Sequence, residues 1–231
     1  MPPTFTPMKK HNFTAGPCIL APEVLEGAAA AVQDFEGMGL SLLEISHRDK
    51  KVVAVMEEAQ QRVLQTLGLS DDYAVLFLQG GASSQFAMVP FNLLRREGKA
   101  AYLNTGTWAS KALEEANKLA PGQAVELASS AEQNFSYIPK GFAIPSGLDY
   151  VHYTSNNTIF GTQMKAFPKA DSLMVCDMSS DIFSRQLPFG EFDLIYAGAQ
   201  KNLGPAGATL VVVRKEILGK SGRAIPTMFD Y

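Results

Sequence analysis

Between residues 192 and 213 the chain passes through an apolar segment, Phe192-Asp193-Leu194-Ile195-Tyr196, a loop of small residues from Ala197 to Gly207, and a second apolar segment, Ala208-Thr209-Leu210-Val211-Val212-Val213. Continuous apolar runs this short read as strands buried on both faces. The loop between them therefore lies at the end of a buried sheet. Gly198, Gly204 and Gly207 permit positive φ and close backbone approach there, and the loop carries one lysine, Lys201. A lone ammonium beside buried strands is costly unless it is paired or chemically used. Desolvation favours the neutral amine that Schiff-base chemistry requires. Lysines in general are surface residues, so this loop selects a function only in company with the rest of the chain.

Four further runs read as strands: Tyr73–Leu78, Ala100–Leu103, Tyr150–Thr154 and Ser172–Cys176, with a weaker one at Val125–Leu127. Helices are predicted over 23–33, opened by Pro22, with Val24, Leu25 and the alanines as the inner face. A second is predicted over 51–67, with Val52, Val55, Met56, Ala59, Val63 and Leu67 on one side and Gly68 as its stop. Two more run from the Gly80-Gly81 turn to Asn92 and from about Ser110 to Leu119, while residues 129–146 are loop-rich. Strands separated by helices give an α/β fold, a mostly parallel central sheet with helices on both faces. The 231 residues suffice for one such domain, with Met1–Thr14 as a lead-in and residues 15–231 as the domain.

Composition removes several function classes. A net charge of -3 provides no electrostatic footprint for nucleic acid or acidic membranes. The apolar runs are too short to span a bilayer, and no secretion signal opens the chain. Cys18 and Cys176 read as reduced core thiols of a cytoplasmic protein. His11, His47 and His152 have no metal-ligand spacing, so no metal is expected.

Ligands of open parallel sheets collect at the carboxyl ends of strands. Five features follow strands here: the Gly80–Ser84 turn, Trp108, Thr158, Asp177 and Lys201. A dinucleotide site fits poorly, because no G-x-G-x-x-G opens a helix and apolar residues near Ala101 stand where an acidic residue is needed; a P-loop is excluded because no lysine follows the glycines. Pyridoxal 5′-phosphate needs an amine, a carboxylate for its pyridine nitrogen, a stacking surface and phosphate donors. Lys201, Asp177, Trp108 and the amides after Gly81 can supply them, in that order.

The motifs Asn12-Phe13-Thr14-Ala15-Gly16-Pro17, Glu44-Ile45-Ser46-His47-Arg48, Gln79-Gly80-Gly81-Ala82-Ser83-Ser84-Gln85-Phe86, Thr105-Gly106-Thr107-Trp108, Asn156-Asn157-Thr158, Cys176-Asp177-Met178-Ser179-Ser180 and Tyr196-Ala197-Gly198-Ala199-Gln200-Lys201-Asn202 occur in an order that resembles the phosphoserine aminotransferase family. That is a class V branch of the fold-type-I enzymes. The resemblance implies that Lys201 holds the cofactor aldehyde and shuttles a proton, and that Asp177 pairs with the pyridine nitrogen. It further implies that Trp108 stacks on the ring, Thr158 bonds near the phenolic oxygen, and Ala82, Ser83 and Gln200 hold the phosphate. His47 and Arg48 match substrate-anion contacts. Some members carry arginine at the position of Ser83, so that charge is missing here.

Family members are longer and continue into a small domain bearing further substrate contacts, and they dimerise with sites at the subunit boundary. The chain therefore reads as the large-domain portion, expected as a homodimer and expected to hold cofactor with little turnover of its own. The implied reaction exchanges an amino group between L-glutamate and 3-phosphohydroxypyruvate. A non-catalytic cofactor-binding or dimerising module, or another class V aminotransferase, stays open as an alternative.

Overall fold

A computed structural model describes residues 10–231; residues 1–9 of the expected lead-in lie outside the described residues. Four α-helices form among the described residues: α1 (Pro22–Gln33), α2 (Lys50–Leu67), α3 (Gly81–Leu93) and α4 (Thr107–Leu119). The strands are β1 (Tyr73–Leu78), β2 (Ala100–Asn104), β3 (Ala124–Ser129), β4 (Tyr150–Thr154), β5 (Asn156–Asn157), β6 (Thr162–Gln163), β7 (Leu173–Asp177), β8 (Leu194–Gly198) and β9 (Thr209–Arg214). Seven of them build one sheet in the order β1-β9-β8-β7-β4-β2-β3, and β5 and β6 pair as a separate short hairpin. Neighbours from β8 through β3 are parallel, whereas β9 is antiparallel to both β8 and β1.

Each central strand feeds both faces because side chains alternate along it. In β9, Leu210 and Val212 enter one apolar cluster with Val63 and Leu67 of α2, Phe167 and Phe192. Val211 and Val213 enter the other, with Phe86 and Val89 of α3 and Ala112 and Ala116 of α4. The small alanines on α4 let it lie close to the sheet. The α3 and α4 face is mainly helical, but the connections β4→β7 and β7→β8 contain no α-helix. Irregular chain covers much of the other face.

Local signals set the helix ends. Asp49 caps α2, its carboxylate accepting from the Lys51 amide at 2.9 Å, and Gly68 closes it in the left-handed region. The helix predicted from about Ser110 starts three residues earlier, so that Trp108 lies in the first turn of α4. Two expected inner faces are corrected. α1 buries no side chain, with Val24 52% and Leu25 49% exposed, and on α2 only Val63 and Leu67 are buried while Val55 and Met56 are open. Periodicity reports that a helix has an apolar stripe, not what covers it: on α2 the stripe meets the core only near its end, through Val63 and Leu67. Cys176 is a buried thiol as expected, but Cys18 is only half-buried. No helix of the described residues is long and apolar enough to cross a membrane.

Candidate active site

The carboxyl ends of β4, β7 and β8 and the amino ends of α3 and α4 enclose a cavity of about 320 Å³. Ala82, Ser83, Trp108, Thr158, Asp177, Gln200 and Lys201 all line it. His47 and Arg48 do not. They lie exposed in the turn that leads into α2. Gly16, Gly81, Phe86, Thr154, Asn156, Ser179 and Ser180 complete the lining. Of these, Thr154 and Asn156 follow from the strand-end rule once β4 is recognised. Gly16 does not, because its approach depends on the path of the N-terminal segment.

One wall is the start of α3. Gly80 sits at φ +92° and a side chain there would meet Ser84 Oγ at 1.9 Å, so the turn admits only glycine. No side chain caps the helix, which leaves the amides of its first turn turned toward the cavity at the positive end of the helix dipole. The start of α4 brings in Trp108. Gly106 precedes it so tightly that an added Cβ would lie 2.3 Å from Asn157 Nδ2, and that same amide donates to the Thr105 carbonyl at 2.6 Å. The packing fixes the Trp108 turn against the Asn157-Thr158 segment.

Opposite stands Asp177, the last residue of β7 and only 4% exposed. Its Oδ1 accepts from the Ser179 amide at 2.9 Å, and Ser179 Oγ accepts in turn from the Gly198 amide at 3.1 Å. Burial pushes the Asp177 carboxyl upward; the Ser179 hydrogen bonds oppose this, nearby Asp181 adds to it and Lys201 opposes it. A buried carboxylate that accepts from one backbone amide and is still short of compensation suits a cationic partner.

Lys201 follows β8. Its Nζ donates to the Ala15 carbonyl at 3.2 Å, and the Cys18 amide donates to the Gln200 carbonyl at 2.9 Å. The turn at residues 14–18 therefore rests on the lysine loop. The sheet interior also holds a buried polar stack that does not line the cavity: His152 Nε2 and Tyr196 Oη are 2.9 Å apart, and the Tyr102 ring stacks on His152 at 4.8 Å. Burial lowers the His152 pKa to about 3, so the imidazole is neutral. His11 is exposed. No cluster suited to a metal ion occurs among the described residues.

Two larger hollows, about 650 and 430 Å³, lie between loops 137–142 and 163–168 and at the amino ends of β4 and β7. Neither brings a lysine, a buried carboxylate and helix amides to one wall. Size points away from the chemistry here, and chemistry decides.

Known proteins resemble this arrangement. The family described as aminotransferase class V matches residues 11–226. A phosphoserine aminotransferase of Flavobacterium psychrophilum is 64% identical over 225 residues, covering 97% of this chain and 63% of that protein. One from Parabacteroides distasonis is 55% identical, covering 97% and 62%. The chain thus spans a little under two thirds of the length of these curated relatives. Among solved structures, the phosphoserine aminotransferase of Bacillus circulans subsp. alkalophilus superposes with a TM-score of 0.90 at 48% identity, over 95% of this chain and 61% of that one. The PLP-bound enzyme of Trichomonas vaginalis gives 0.89 at 35% identity, over 96% and 67%. With a family match that runs through nearly all the described residues and takes in every wall of the cavity, the chain belongs to the class V aminotransferases.

Proposed function

We propose that residues 15–231 form the cofactor-holding domain of a pyridoxal 5′-phosphate-dependent aminotransferase. It moves an amino group between L-glutamate and 3-phosphohydroxypyruvate, giving O-phospho-L-serine and 2-oxoglutarate. The observation that carries the reading is that Lys201 and Asp177 face one cavity whose far wall is the uncapped start of α3. Relatives named phosphoserine aminotransferase support the substrate pair.

The residues fit the cofactor on physical grounds. When bound, pyridoxal phosphate supplies an electron sink for the charge left as a substrate Cα–H bond breaks. The α3 amides, with Ser83 and Gln200, suit a dianionic phosphate without any lysine. Trp108 offers a flat surface, and Thr158 offers a hydroxyl for the phenolic oxygen. Asp177, starved of countercharge by burial, would hold a proton on the ring nitrogen. Lys201 Nζ would hold the cofactor and would take and return the substrate's Cα proton. His47 and Arg48 take the substrate's anionic end from outside the cavity. The working protein is a cytoplasmic homodimer.

Adding pyridoxal phosphate to the chain tests this. A visible absorption band lost on borohydride treatment is expected, and Lys201→Ala should not produce it. Glutamate and phosphoserine should each bleach the band, and alanine should not. Equal response to alanine, or an unchanged band in Lys201→Ala, contradicts the reading.

A further inference from the structure

We propose that the ion pair between buried Asp181 and half-buried Arg185 is a positioning device that sets Thr158 against Asp177, so that both meet the cofactor ring in one fixed spacing. This rests on the cofactor reading given above.

The hairpin that carries Thr158 cannot hold itself in place. β5 and β6 share only two residue pairs, Asn156↔Gln163 and Asn157↔Thr162, far too few for independent stability in water. Thr158 stands directly after β5, at the hairpin tip. One carboxylate grips both legs. Asp181 Oδ1 accepts from the Ser155 hydroxyl, on the residue just before β5. Asp181 Oδ2 accepts from Gln163 Nε2 of β6 at 3.2 Å and from Arg185 Nη2 at 2.9 Å. Arg185 Nη2 donates as well to the Met164 carbonyl at 2.9 Å, just past the second leg.

The same carboxylate belongs to the segment that leaves Asp177. The amides of Asp181 and Ile182 donate to the Met178 carbonyl at 3.2 and 2.9 Å, winding residues 178–182 into a tight turn. Ser180 Oγ exchanges hydrogen bonds with Asn156, accepting from its Nδ2 at 2.9 Å and donating to its carbonyl at 3.1 Å. Ser155 is tied to Asp177 directly, its amide donating to the Asp177 carbonyl at 2.9 Å. The hairpin and the Asp177 turn thereby become one unit with Asp181 at its centre.

Energetics favour a positioning role over a stabilising one. Asp181 is 3% exposed and the Arg185 side chain 22%. Burying the carboxylate and part of the guanidinium costs desolvation that their attraction roughly offsets, so such a pair adds little net stability. It does select one geometry, because a carboxylate met by a guanidinium, an amide and a hydroxyl has few alternative arrangements.

A double-mutant cycle on cofactor dissociation constants, read by spectral titration, tests the proposal. Asp181→Asn should weaken pyridoxal phosphate binding about tenfold. Thr158→Val should weaken binding about fivefold in the native background and scarcely at all once Asp181 is Asn, since residues acting as one unit do not add. Ser83→Ala, at the phosphate end, should cost the same in both backgrounds. A mere loss of stability does not produce that selective pattern. Should Asp181→Asn fail to fold by circular dichroism, Arg185→Lys, which keeps the charge and loses the forked contact, carries the same cycle. Full additivity between Thr158→Val and the clamp variant, or an unchanged constant in that variant, overturns the proposal while leaving the cofactor reading intact. A silent Thr158→Val likewise overturns the proposal alone, whereas a native chain that takes up no borohydride-sensitive cofactor overturns both.

Discussion

The carboxyl ends of β4 and β8 and the helix α1 mark opposite extremes of this molecule. Every residue of β4 and of β8 is buried, whereas α1 buries none of its 12. The helix is specified locally, with proline in its first turn, Glu23 near its positive end and a run of alanines. The strands are specified by what surrounds them. The chemistry sits with the strands for a physical reason: a carboxylate such as Asp177 can be kept short of countercharge only where water is excluded and each donor is fixed. A helix open to solvent offers no such place.

The largest expected effect separates the two regions by stability. Ile195→Ala, in the middle of β8 and fully buried, should cost about 2–5 kcal/mol in urea unfolding. A loss near that of an exposed position would break the comparison.

His152 sharpens it by pH. Its folded pKa of about 3 lies below the unfolded value near 6.5, so the folded chain binds fewer protons between those limits. The stability it contributes is present above pH 6.5 and is lost as pH falls toward 3. The loss can reach about 1.4 kcal/mol per pH unit within that window. His152→Gln should flatten the slope of unfolding free energy against pH by one proton, and an unchanged slope would show that the ring protonates in place.

Asp177 should separate stability from binding. Its folded pKa is raised by burial, so folding favours the protonated carboxyl and its contribution to stability falls as pH rises from the unfolded value through the folded one. At neutral pH the buried carboxylate is a cost. Asp177→Asn should leave the melting temperature of the cofactor-free chain equal or higher, while weakening pyridoxal phosphate binding about tenfold or more. A lower melting temperature without cofactor would mean that the carboxylate serves the fold.

The smallest effect belongs to α1. Leu25→Ala, at a position 49% exposed, should change unfolding free energy by less than about 0.5 kcal/mol.

These contrasts also mark how far the sequence could be read. The central strands were legible because continuous apolar runs such as Ala208–Val213 have few other uses, and α2 because of its apolar spacing and the Gly68 stop; its Asp49 cap was not read. The reversed direction of β9 was not legible, since a strand buried on both faces reads alike either way. The β5–β6 hairpin escaped because two residue pairs leave no periodicity. At the site, Lys201, Asp177 and the Gly80 turn could be found from strand ends. Asp181 could not, because its role arises from partners 18 to 26 residues away in sequence, at Gln163 and Ser155. The exposure of α1 was hidden for the reason that misassigned its inner face: a stripe of apolar residues records an opportunity for packing and not its fulfilment.

The most direct test of the account is to locate the covalent adduct. The chain, loaded with pyridoxal phosphate and reduced with borohydride, would be digested and mapped by mass spectrometry. The account predicts one dominant phosphopyridoxyl group on Lys201, reduced in yield in Asp177→Asn. Label spread over surface lysines, or concentrated on one outside the 197–207 loop, would contradict it.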